Sequence, residues 1–114
     1  MLNTQQFPSI SADEFDQLVV SDGPMVGLYI SRKCCGVTGP ARREFRLAAQ
    51  KFKHIIGFFE VDADAEKALV SRLNVKAVPT LLVLASGIEL AAVLGFHSSD
   101  ELQKKLWSII PDRS

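Results

Sequence analysis

An excess of either charge is missing from this sequence: thirteen Lys and Arg balance thirteen Asp and Glu over 114 residues, for a formal net charge of zero. No overall field is available to draw in a polyanion, so nucleic acid and acidic membrane surfaces are poor partners. Long apolar runs are missing as well. Stretches such as residues 80–85 fall far short of the roughly 20 residues that span a bilayer. The opening MLNTQQFPSI has no basic-then-apolar signal pattern. A cytoplasmic protein with no membrane partner is the expectation. With only two histidines, His54 and His97, neither read as part of a ligand set, no metal site is expected. Cysteine is nearly absent. The two present, Cys34 and Cys35, are adjacent, where a structural staple would close nothing useful, so a disulfide framework is excluded and their presence calls for a chemical explanation.

The remainder is ordinary: 47% hydrophobic and 23% charged residues, without repeat, linker or biased tract, predict one soluble domain over residues 1–114. Ser11 followed by Glu14 is a capping box, and Phe15, Leu18 and Val19 recur at helical spacing, predicting a helix over about residues 11–20. Residues 25–31 (MVGLYIS) form a nearly continuous apolar run, the pattern of a strand covered on both faces. Over residues 40–53, Phe45, Ala48, Ala49 and Phe52 form an apolar stripe, with Arg42, Arg43 and Arg46 opposite on what reads as a solvated face. Residues 55–61 repeat the buried-strand pattern, and Asp62 or Asp64 could cap a short helix over 65–73 that stops at Asn74. Two apolar runs, 80–85 and 88–94, joined by Ser86-Gly87, predict a hairpin. Ser98 and Glu101 form a second capping box before a final helix carrying Leu102, Leu106, Ile109 and Ile110. Phe96 and Trp107 read as core or edge-packing residues. With an edge strand around residues 6–10, the expectation is an α/β fold, a mixed four- or five-stranded sheet sandwiched between helices.

Chemistry concentrates at Cys35-Gly36-Val37-Thr38, after a buried strand and before a helix. A positive helix terminus there can lower a thiol pKa from about 8.5 to as little as 3.5. The second element is Val78-Pro79-Thr80, a proline directly before a strand.

At these residues the sequence resembles the thioredoxin family, from about Ser11 to Ile110. The family pattern is W-C-G-P-C after a strand, then V-D-x-D, a cis-proline in [IV]-P-T, a hairpin glycine and a later glycine. The matching residues are Cys34 to Thr38, Val61 to Asp64, Val78-Pro79-Thr80, Gly87 and Gly95. The resemblance implies the thioredoxin fold, Cys35 as the nucleophile, and Val78-Pro79 as the edge that pairs with a substrate peptide. Protein or low-molecular-weight disulfides would be its substrates, and no cofactor is implied. Cys35-Gly36-Val37-Thr38 also looks like the C-G-F-S motif of monothiol glutaredoxins.

The departures bear on mechanism. Thr38 stands where the family has its second, resolving cysteine, Cys34 where it has tryptophan, Val37 where it has the motif proline, Tyr29 where it has a buried acid, and Arg43 where it has a mid-helix proline. Without a resolving thiol, attack by Cys35 stalls at a mixed disulfide until glutathione or Cys34 releases it. Thr38 could cap the helix or hydrogen-bond the thiolate. A rival register reads Thr38-Gly39-Pro40-Ala41 as the motif with both cysteines replaced, which leaves no thiol in a redox position and a non-catalytic peptide-docking or chaperone-like module around Pro79.

Overall fold

In a computed structural model, which describes residues 7–19, 25–32 and 38–110, four helices flank a four-stranded sheet. In chain order these are α1 (Ala12–Val19), β1 (Met25–Ser31), α2 (Thr38–Gln50), β2 (Ile56–Asp62), α3 (Lys67–Arg72), β3 (Thr80–Ala85), β4 (Ile88–Leu94) and α4 (Ser99–Ile109). The sheet order is β2-β1-β3-β4. β1 and β2 run parallel, whereas β3 is antiparallel to β1 and β4 to β3. The two central strands are buried almost throughout, which is why their sequences are continuous apolar runs rather than alternating ones.

Each face of the sheet has its own core. On one, Tyr29, Phe58, Leu81 and Val83 meet Phe45, Ala48 and Ala49 of α2, Phe52 in the turn that follows it, and Leu102 and Leu106 of α4. On the other, Leu28, Ile30, Val61 and Leu82 meet Phe15 of α1 and Leu69 of α3. Burying side chains of this size contributes about 1.5–3 kcal/mol each, so the α2 stripe anchors the fold.

Local chemistry sets the element ends. Both capping boxes form: Glu14 N–H donates to Ser11 Oγ at 3.3 Å and Glu101 N–H to Ser98 Oγ at 3.2 Å, and each glutamate accepts from the serine N–H at 2.9 Å. Ser86 and Gly87 both adopt positive φ, the geometry of a tight hairpin. Asn74 ends the α3 region at φ 58°, a conformation asparagine tolerates better than most residues.

Two expectations change. Residue 6 lies outside the described residues, and residues 7–10 form no strand: an isolated parallel bridge joins Ser9 to Glu60. Pro8 has no N–H to offer a ladder, and the Phe7 N–H donates instead to the Glu60 carboxylate at 3.0 Å. Nor does Asp62 or Asp64 cap α3. Asp62 Oδ1 accepts from the Asp64 N–H at 3.0 Å, a turn two residues long, and the helix begins later, at Lys67, with Glu66 making no side-chain cap.

Candidate functional site

The carboxyl end of the sheet gathers the residues singled out above. Thr80 pairs with Ile30 on one side and Leu94 on the other, so Pro79, Ser31 and Gly95 lie along one rim. The Val78–Pro79 peptide bond is cis. Thr80 Oγ1 donates to the Ala77 carbonyl at 2.7 Å, and the Gly95 N–H donates to the Pro79 carbonyl at 2.8 Å, which ties the turn to the end of β4. Gly95 has φ 85°, open only to a residue without Cβ strain. Val78 packs on the second core cluster. Its backbone N–H and carbonyl have no hydrogen-bond partner among the described residues.

Cys34 and Cys35 lie outside the described residues, as does the side chain of Thr38, whose backbone opens α2. Cys35 therefore stands three positions before the first helical residue.

Beneath this rim, Tyr29 is buried with its ring stacked on Phe45 at 4.3 Å and 5° between planes. Burial pushes its phenol up to about 12, with the Arg42 guanidinium pulling the other way. At neutral pH it stays protonated and offers no carboxylate-like base.

The basic face of α2 is only partly solvated. Arg43 is exposed, but Arg46 inserts between α2 and β2, its side chain 19% exposed, and makes two 2.8 Å hydrogen bonds to the carboxylate of Glu60, which is itself buried. The fork-to-fork pair with Glu60 holds the guanidinium above its usual pKa. A carboxylate in the shielded edge of β2 needs such a partner, and Arg46 is one residue along from the apolar stripe, near enough to supply it. Spacing on one helix cannot report a partner fourteen residues away.

Sequence reading also missed the exposed apolar rim. Phe96, expected to pack, is 56% exposed, and Leu94 is 51% exposed, both next to the Gly95–Pro79 tie. Trp107 does pack at an edge, its ring meeting Phe52 at 5.0 Å and 68°. Among the described residues no three His, Cys, Asp or Glu side chains gather as a metal site requires, and no helix is long and apolar enough to cross a membrane.

A mixed four-stranded sheet between helices, with a cis-proline opening its antiparallel half and a long helix following its first strand, defines the thioredoxin fold. The thioredoxin family model matches residues 6–108, and the chain belongs to the thioredoxin family. It is 31% identical over 91 residues to a thioredoxin H-type of Oryza sativa subsp. indica, covering 77% of this chain and 74% of that protein. It is 30% identical over 80 residues to protein disulfide isomerase-like 2-3 of Oryza sativa subsp. japonica, covering 70% of this chain but 18% of that much longer protein. Among solved structures, a point mutant of the thioredoxin from Halobacterium salinarum NRC-1 superposes with a TM-score of 0.79 at 23% identity, covering 97% of this chain and 96% of that one, a likeness of fold. At family level this is a thioredoxin-fold redox protein.

Proposed function

We propose that this protein carries out thiol–disulfide exchange with a single working thiol, Cys35, on protein or low-molecular-weight disulfides in a cytoplasmic setting. The thiolate attacks one sulfur of the substrate disulfide, forms a mixed disulfide and releases the other sulfur as a thiolate that takes a proton from solvent. A glutathione thiolate then attacks the Cys35 sulfur and expels the second substrate thiol. A second glutathione removes the first as glutathione disulfide, so two glutathione thiols supply the two electrons. Cys34 is the intramolecular substitute for the first glutathione.

The observation that carries this reading is the start of α2 at Thr38. In sequence Cys35 stands three positions ahead of the first helical residue, and the positive end of the backbone dipole favours a thiolate brought up to that N-terminus. In the rival register Thr38 itself takes the nucleophile's place at that helix start, with Ala41, 2% exposed, in the place of the second cysteine. Thr38 serves in the single-thiol reading as a donor to the thiolate, and the unpaired Val78 backbone beside Pro79 as the docking edge for a substrate peptide. The exposed Leu94 and Phe96 favour a second reading, in which the same rim binds peptides without redox chemistry.

Iodoacetamide alkylation followed against pH separates the two. Single-thiol exchange predicts an apparent pKa for Cys35 well below 8.5, lost in Cys35→Ser and retained in Cys34→Ser. Insulin reduction should proceed with glutathione present and not without it. Ordinary thiol pKa values for both cysteines, with no turnover in either condition, would leave the binding module.

A further inference from the structure

At the carboxyl ends of β1 and β2, Ser9, Ser31, Arg42, Arg46, Glu60 and Asp62 border a pocket of about 240 Å³. Its floor is electrically closed, because Arg46 and Glu60 satisfy each other through two hydrogen bonds. The rim is open. Arg42 makes no ion pair among the described residues, and its hydrogen bond is a long 3.4 Å contact from Nη2 to Ser31 Oγ. Asp62 Oδ1 accepts from the Asp64 N–H, and its second oxygen has no partner among the described residues. The pocket therefore presents an unpaired guanidinium and an unpaired carboxylate oxygen over a neutral floor, with two serine hydroxyls on its wall.

Opposite charges lining one pocket select against simple ions. A dianion such as phosphate would face Asp62, and a simple cation would face Arg42. A group bearing both charges fits: its carboxylate on the Arg42 fork, its ammonium on Asp62. The α-amino-acid head is that group, with carboxylate and ammonium on one carbon.

We propose that this pocket seats the γ-glutamyl end of glutathione, an inference that rests on the single-thiol reading above. That mechanism requires an external thiol, and glutathione carries a free α-carboxylate and α-ammonium at the end remote from its glycine. In sequence the seat brackets the thiol segment: Ser31 lies four residues before Cys35 and Arg42 seven after it.

The probe is S-methylglutathione, which keeps the zwitterionic end and cannot exchange disulfides, titrated into the nitrogen-15-labelled full chain by NMR. Saturable amide shifts are expected at Ser31, Arg42 and Asp62. Arg42→Gln should weaken binding about tenfold or more, the usual cost of a charged hydrogen bond. Arg43→Gln, the same charge change on an exposed neighbour, should leave it unchanged. N-acetylation of the ligand, which removes the ammonium without touching the protein, should weaken binding by a similar factor. Absence of saturable shifts at these residues, or equal losses from Arg42→Gln and Arg43→Gln, overturns the proposal. Free glutamate tests the source of the head group: weaker binding supports glutathione, and equal binding overturns that assignment. Because the probe has no thiol, a failure here is read independently of Cys35 alkylation. A reactive Cys35 with an empty pocket would sink this inference alone.

Discussion

Tyr29 is the chain's single tyrosine, so absorbance of tyrosinate follows it without interference. Its phenol is pushed up to about 12 by burial, against an ordinary value near 10. Between those two values the folded state holds a proton that the unfolded state has released, so stability falls as pH rises through this window and is fully present below it. The tyrosinate signal should appear near pH 12 in the folded protein, and Tyr29→Phe should flatten the loss of stability between about pH 10 and 12. A midpoint near 10 would show that the ring is solvated. Arg46 offers a second test at this scale. Arg46→Met leaves Glu60 shielded and uncompensated, and urea unfolding should register a loss of about 2 kcal/mol. Of the candidate site, Val78-Pro79 was legible because a proline before an apolar run is a local signal. The Arg46–Glu60 pair was not, since neither residue carries any mark of a partner on another element.

At the scale of elements, Gly27 lies in β1 opposite Phe58 of β2. A Cβ at Gly27 would come within 2.6 Å of the Phe58 ring, which is buried and cannot swing aside freely. Gly27→Ala should cost about 1–3 kcal/mol through overpacking, and a denaturation midpoint unchanged from the parent would refute that account. The hairpin β3–β4 and both capping boxes were readable from sequence because each rests on residues no more than three or four apart. α3 was misjudged at its start because two aspartates offered competing local hydrogen bonds, and the one chosen by Asp62 made a turn rather than a cap. The extra edge strand failed for an equally local reason, the missing N–H of Pro8.

For the molecule as a whole, Phe45 joins α2 to the sheet through Tyr29 and Phe58, and to the segment before α1 through Phe7. Phe45→Ala should destabilise by about 3–5 kcal/mol, a large part of the 5–15 kcal/mol typical of a folded domain. The single Trp107, packed on Phe52, reports the same side of the sheet. Its fluorescence and far-UV circular dichroism should give coincident urea transitions, and separate ones would show that the two cores unfold independently.

The order of elements, the strands that lie inside, the glycine and asparagine turns and the thioredoxin resemblance were all determined by the sequence alone, because apolar period, caps and turn residues act over a few positions. The tertiary structure alone decided that Arg46 turns inward to Glu60, that Leu94 and Phe96 stay exposed, and that Arg42 and Asp62 face one pocket. Those outcomes depend on which side chains from distant parts of the chain share a low-dielectric space, and no periodicity within one segment encodes that neighbour.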